Sequence, residues 1–277
     1  MSSSTEITPG LIFYAYYSIM KKEKVGYFDH STLILQVKGQ FTFETSKEKV
    51  SIKGGEMLLI RKNQVGQIVK AATAEGHSQT IIIFLKEDLL RQFALEQRVE
   101  AGEKYAGKLN LPIPENEYLQ GFFQSLMPYI RNPEDQLTQE MGMLKVSEAV
   151  RLLLHALPEL KDFLFDFSEP YKIDLEKFML SNYHFNVPID KFAQLTGRSL
   201  AGFKRDFQKV FGDSPRHWLL DKRLQEARHL IENKNKKASA IYLDLGFETL
   251  SHFSNSFKKK FGNSPRAKVY QGMLDSE

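Results

Sequence analysis

The 277 residues contain no cysteine, which excludes a disulfide framework, a thiolate metal site and a thiol nucleophile. No run of about 18 apolar residues occurs, so nothing reads as a membrane span. The opening stretch, MSSSTEITPG, has neither a basic start nor an apolar core. No signal peptide is expected, and the protein should be cytoplasmic. Histidine is scarce, with 7 in the chain, and tryptophan occurs once.

What is present is unevenly distributed. Residues 1–170 carry 19 basic and 22 acidic side chains, whereas residues 171–277 carry 19 and 12, so a net charge of +4 conceals one slightly acidic half and one basic half. The basic half contains an internal repeat. Residues 195–216, LTGRSLAGFKRDFQKVFGDSPR, return fifty positions later as LGFETLSHFSNSFKKKFGNSPR over 245–266, with 10 of 22 positions identical. A unit of this kind has been duplicated.

In each copy Leu200, Phe203, Phe207 and Phe211, or Leu250, Phe253, Phe257 and Phe261, recur at spacings of three and four. They fall on one buried face of an α-helix. Ser199 and Thr249 precede these runs as expected N-caps, and Gly197 and Gly246 supply a tight turn after a short apolar segment. Helix, glycine turn and second helix make a helix-turn-helix, here twice.

The opposite face of each second helix is polar. The first copy presents Ala201, Gly202, Lys204, Arg205 and Lys209, and the second presents Ser251, His252, Ser254, Asn255 and Lys259. Small and hydrogen-bonding residues lead and lysines follow, the distribution that a helix entering a DNA major groove requires. Arg205 and Asn255 are the expected principal base readers, since arginine pairs with guanine and asparagine with adenine. Lys204, Ser251, His252 and Ser254 are secondary candidates. Lys209, Arg216, Lys258, Lys259 and Lys260 are expected to meet phosphate, together with the helix N-termini at Ser199 and Thr249.

The run Arg223-Leu224-x-x-Ala227-x-x-Leu230-Ile231, the pair Gly246-Phe247 and the closing Phe261-Gly262-x-Ser264-Pro265 resemble the AraC/XylS family of bacterial transcription regulators over about residues 173–270. The resemblance implies two helix-turn-helix units joined by one long helix, with recognition helices entering adjacent major-groove segments about 34 Å apart. It also implies an activator acting with RNA polymerase. Two positions depart from the family pattern: Tyr242 replaces a small residue, and Gly202 sits inside a recognition helix, at about 1 kcal/mol against alanine.

Residues 11–85 read as about seven short strands: Leu11–Ile19, Thr32–Val37, Gln40–Thr45, Lys49–Ile52, Glu56–Arg61, Gly66–Lys70 and Gln79–Leu85. Phe41 and Phe43 alternate with polar residues, as do Val50 and Ile52, and Gly39 and Gly54-Gly55 mark turns. Their order resembles the cupin-type barrel that precedes the DNA-binding module in many such regulators. Tyr14, Tyr16, Tyr17 and His30 are candidate pocket-lining residues. No metal site is expected, because only His30 and His77 fall in the strand region and an open catalytic metal needs about three protein ligands.

Helices are expected over Glu87–Arg98, Asn116–Arg131 and about 136–156, with Glu100–Pro114 as loop. The apolar surface of the helix at 136–156 is wider than one core seam needs. It serves either packing within the domain or a homodimer contact.

The expected fold is α+β and two-domain. A cupin-like β-barrel with appended helices, for sensing or dimerisation, spans 1–157. A linker spans 158–172, and an all-α domain with two helix-turn-helix units spans 173–277. The expected protein is not an enzyme, needs no cofactor and binds double-stranded DNA, with a small-molecule effector or a protein partner acting on the first domain. Two alternatives stay open: control by protein–protein contact without a small molecule, and a cupin-type metalloenzyme fused to a DNA-binding domain.

Overall fold

The computed structural model describes residues 2–17, 21–72, 76–99, 104–132, 137–168 and 172–265. Several expected boundaries fall outside these residues: Ser18 and Ile19 of the first strand, 100–103 of the loop, Gln136 of the third helix and 169–171 of the linker. The chain divides into two compact units, 1–169 and 170–277.

The first unit runs β1 (Ser2–Thr8), β2 (Ile12–Tyr17), β3 (Lys21–Phe28), β4 (Ser31–Lys38), β5 (Gln40–Glu44), β6 (Lys49–Lys53), β7 (Met57–Ile60), β8 (Gln64–Ala71), β9 (Ser78–Leu85), α1 (Glu87–Glu96), β10 (Asn110–Ile113), α2 (Glu117–Arg131), α3 (Gln139–Ala156) and α4 (Leu160–Phe165). The strands form two sheets, ordered β1-β2-β9-β4-β7-β10 and β3-β8-β5-β6. The strand-rich expectation holds. The hydrogen bonding among the described residues makes two separate sheets, not one closed barrel.

Strand periodicity explains the layering. In β4, Leu33 faces one way with Leu59, Ile81 and Ile83, against Phe93, Phe122, Phe123 and Val146 of the helices. Ile34 faces the other way with Leu58 and Ile60, against Phe28, Phe41, Phe43 and Ile52 of the smaller sheet. The larger sheet is therefore buried on both faces, and its inner strands read as nearly unbroken apolar runs. The space between the sheets also holds polar side chains. Gln36 donates to Ser78 Oγ at 2.9 Å and accepts from Thr80 Oγ1 at 2.8 Å. Nearby, Lys70 Nζ lies 4.5 Å from the ring centroid of Tyr17.

The segment read as a linker is largely structured. Leu160, Phe163, Leu164 and Phe165 of α4 are each no more than 2% exposed, and Phe165 stacks on Phe93. Just beyond, Asp166 Oδ2 meets Arg61 Nη2 at 2.5 Å, while Arg61 Nη1 donates to Phe163 O at 3.1 Å. Burial would raise the Asp166 carboxyl. Hydrogen bonds from Ser168, the Arg61 guanidinium and the Tyr105 N–H outweigh that and hold it below the usual carboxylate range.

The second unit contains α5 (Leu175–Asn182), α6 (Ile189–Leu195), α7 (Leu200–Phe211), α8 (Pro215–Lys234), α9 (Ala238–Ile241) and α10 (Leu250–Phe261). Pro215 opens α8 in the first turn, where it sacrifices no hydrogen bond, and Ser214 caps it by accepting from His217 N. Trp218 lies among Phe207, Phe211 and Tyr183, so it is a packing residue. Further along α8, Leu224, Ala227 and Ile231 join Ile241, Leu245, Phe247, Phe253 and Phe257 in a second core. Among the described residues no helix is long and apolar enough to cross a membrane.

Candidate nucleic-acid interface

Both recognition helices are built the same way. Ser199 Oγ accepts from Gly202 N at 3.2 Å, and Thr249 Oγ1 accepts from His252 N at 3.1 Å. Each hydroxyl thus satisfies one of the unpaired amides of its helix N-terminus. Gly212 and Gly262 end the two helices in the left-handed conformation, at φ 69° and 82°. Phe203 and Phe207, and their repeats Phe253 and Phe257, are buried. That anchoring turns the other face of each helix outward.

On those outer faces Lys204, Arg205 and Lys209 of α7 are exposed, as are Ser251, His252, Asn255, Lys258 and Lys259 of α10; Ser254 is half-buried. Arg205 is 69% exposed, with Nε 3.8 Å from Asp206 Oδ1. Asp206 is itself held by Arg198 and Lys172, whose hydrogen bonds keep its carboxyl below the usual range. The edge of the His252 ring packs against Phe247.

A cleft of about 1360 Å³ runs between the two helix-turn-helix units, lined by Lys204 and Gln208 from α7, Arg216 and His217 from α8, Glu248 from the turn before α10 and His252 from α10. It brings together three of the expected site residues: Lys204, Arg216 and His252. Arg205, Lys209, Asn255, Lys258 and Lys259 stand on exposed surface outside its lining. Gln208 and His217 were not anticipated. Gln208 could have been, since it lies one helical turn after Lys204 on the same side.

Lys260, the remaining expected phosphate contact on α10, has a partner within the protein. Its ammonium is paired with Asp221 Oδ1 of α8, and burial lowers its pKa. The helix turn carries it toward α8, away from Lys258 and Lys259.

The candidate pocket residues of the first unit are not brought to one place. Tyr14 is registered opposite Ile81 and packs on the helix-side core. Tyr16, two residues on, shares that face and stacks on His77. His30 sits at the β3–β4 turn, beside Ser31 and Lys62 in a small recess. None of these three lies between the sheets; the fourth candidate, Tyr17, does, against Lys70. Among the described residues, no three His, Cys, Asp or Glu side chains converge as a metal site would require.

Comparison with known proteins divides the chain at the same place. Residues 192–268 match the family described as a helix-turn-helix domain, and residues 31–165 match the ExsA N-terminal regulatory domain. The chain is 36% identical over 80 residues to the virulence regulon transcriptional activator VirF of Yersinia enterocolitica, a match spanning 29% of this chain and 30% of that protein. It is 25% identical over 226 residues to the HTH-type transcriptional regulator ExsA of Pseudomonas aeruginosa, spanning 79% of this chain and 78% of that one. Among solved structures, ToxT from Vibrio cholerae aligns over 94% of this chain and 98% of its own at 14% identity, with a TM-score of 0.42. The DNA-binding domain of AdpA in complex with a target DNA aligns over 37% of this chain and 95% of its own at 22% identity, with a TM-score of 0.34. A helix-turn-helix match falls on the duplicated unit and a regulatory-domain match on the strand-rich half, so both halves of the chain are similar to transcription regulators of the AraC type.

Proposed function

We propose that the protein is a sequence-specific activator of transcription that reads two adjacent major-groove segments of double-stranded DNA with α7 and α10, acting with RNA polymerase. The observation that carries this reading is the pair of capped helices whose polar faces are both left uncovered by the described residues. Arg205 and Asn255 are the principal base readers, with Lys204, Ser251, His252 and Ser254 beside them. Arg216, Lys209, Lys258 and Lys259 meet phosphate, aided by the helix N-termini at Ser199 and Thr249.

The first unit is the regulatory half, a two-sheet relative of the cupin type that responds to a small molecule or a protein partner. Tyr118, Met141 and Leu144, on α2 and α3, are 61%, 43% and 69% exposed, which favours a homodimer contact through α3.

The test is binding of the full chain to a DNA sequence recovered by selection and to a random duplex. Arg205→Ala should cost about 1–3 kcal/mol on the selected site and relax preference at one or two base pairs. Lys259→Ala should weaken both duplexes alike and lower the salt dependence by about one unit of slope. Equal losses on selected and random DNA for Arg205→Ala would remove that residue from the readers.

A further inference from the structure

The two helix-turn-helix units do not share one apolar core. The second core, around Phe253 and Phe257, draws its residues only from Leu220 onward. Trp218, Phe207 and Phe211 pack together in the first. Helix α8 runs through both, and any direct contact between the two units beside it adds to what that one shared helix fixes. A polar junction stands at this point.

Arg223, midway along α8, spreads its guanidinium over three backbone carbonyls. Nε donates to Tyr183 O at 2.7 Å and Nη2 to Phe185 O at 2.8 Å; both carbonyls lie just past the end of α5, in the scaffold of the first helix-turn-helix. Nη1 donates to Gly246 O at 3.2 Å, in the turn that precedes α10. Carbonyls at a helix end lack intrahelical partners. Of the three, Tyr183, the C-cap residue of α5, is such a carbonyl, and Phe185 O also accepts from Val187 N at 2.9 Å; the fixed fork of an arginine serves all three at once, a geometry that lysine cannot reproduce.

The fit around this fork is close. Gly246 has φ 77°, and a Cβ there would lie 2.7 Å from His184 O and 2.9 Å from Arg223 Cζ. The turn of the second unit therefore meets the 183–185 segment almost backbone to backbone, with the guanidinium between them. Asn186 Nδ2 adds a bond to Glu248 Oε1 at 3.2 Å across the same junction. Burial pushes the Arg223 pKa down to about 10, so the group stays charged at neutral pH.

We propose that Arg223 is the positioning residue that fixes the separation and rotation of α7 relative to α10, and so sets which spacing of two major-groove segments the protein accepts. It touches no base in this role. The inference rests on the DNA-reading function proposed above.

Two measurements test it, one of them without DNA. Because the chain lacks cysteine, Glu176→Cys on α5 and Ser239→Cys on α9, both exposed, can carry spin labels in the full chain. The distance distribution should be narrow with Arg223, and broad in Arg223→Gln and Arg223→Lys.

The second measurement uses the selected DNA site and versions with one base pair added or removed between its two segments, each step shifting them by about 3.4 Å and a tenth of a turn. The unsubstituted protein should lose at least about tenfold in affinity on either change, because two rigidly linked units no longer engage together. Arg223→Gln should bind the original spacing about tenfold more weakly, keep its affinity for a single segment, and show a spacing penalty of about threefold or less.

A folded Arg223→Gln protein with a narrow distance distribution and an unchanged spacing penalty overturns the proposal. So does a variant that loses its helical circular dichroism, because that makes Arg223 a folding residue. If the unsubstituted protein selects no DNA sequence, the DNA-reading function fails on its own, and the spin-label distances still decide whether Arg223 holds the junction.

Discussion

Replacing Asp166 by alanine removes the acceptor for three donors: Arg61 Nη2 at 2.5 Å, Tyr105 N at 3.2 Å and, through its other oxygen, Ser168 N at 2.9 Å. The side chains of Arg61 and Asp166 are 11% and 5% exposed, so water cannot easily replace the lost partner. The remaining guanidinium keeps Phe163 O and the faces of Tyr105 and Phe163, at 4.8 and 5.5 Å from their centroids. Those contacts offset part of the loss but do not neutralise a buried charge. Breaking a buried pair from one side typically costs about 3–5 kcal/mol. With a urea slope of about 2 kcal/mol/M, the midpoint should fall by roughly 1.5–2.5 M. The assay can separate the two units, because Trp218, the single tryptophan, lies in the second. Far-ultraviolet circular dichroism at a strand-weighted wavelength should record the shift, and tryptophan fluorescence should not. A shift below about 0.5 M, or an equal shift in fluorescence, would show that the pair does not secure the first unit as described.

The same carboxyl sets a pH dependence. Its folded pKa lies below the ordinary value, so it binds fewer protons in the folded state. The stability it contributes is fully present above the unfolded pKa of about 3.9 and is lost as pH falls through the lower folded value. Asp166→Asn should therefore be weaker than the unsubstituted protein at pH 7, with the gap closing below about pH 4 in urea melts. Gly246→Ala places a methyl against His184 O and the Arg223 guanidinium, whereas Gly262→Ala meets nothing within 4 Å and incurs only the left-handed backbone cost. Gly262→Ala should cost about 1 kcal/mol and Gly246→Ala distinctly more, and equal melting temperatures would contradict the close contact. Ser199→Ala and Thr249→Ala should each cost about 1 kcal/mol, read as earlier thermal unfolding of the second unit by tryptophan fluorescence and circular dichroism.

The second unit was legible because its signals are local. A three/four spacing of phenylalanines, a hydroxyl before each run and a glycine after it specify a capped helix wherever they occur. The strands missed in the first unit are β1, β3 and β10, and each lies at the edge of its sheet. An edge strand has one neighbour and weak demands on its side chains. The polar run SSSTEIT and the charged run KKEKVGYF therefore carry little alternation. The four residues of β10 contain Pro112, which an edge tolerates and which reads as loop. The placement of Tyr14 and Tyr16 fails for a different reason. Period two shows that they share a face and that Tyr17 takes the other, but the larger sheet is buried on both faces. The sequence does not say which face is the sandwich interior.

The duplicated copies show where the sequence had to be kept and where it was released. Most of the shared positions build the scaffold, among them Phe203 and Phe253, each 0% exposed, Phe207 and Phe257, and the left-handed Gly212 and Gly262, while the shared Lys209 and Lys259 are exposed and belong to the expected phosphate contacts. The positions that differ include Ala201 against Ser251, Gly202 against His252, Lys204 against Ser254 and Arg205 against Asn255, on or beside the uncovered face. A helix kept only for packing would place no special demand on that face, and its charge would matter little. A pair of helices that must lie on one ligand yet read different parts of it needs a common frame with two different outer surfaces. That frame must also hold the two surfaces in one fixed relation, which is the part the proposal above gives to the fork of Arg223 on the carbonyls of Tyr183, Phe185 and Gly246.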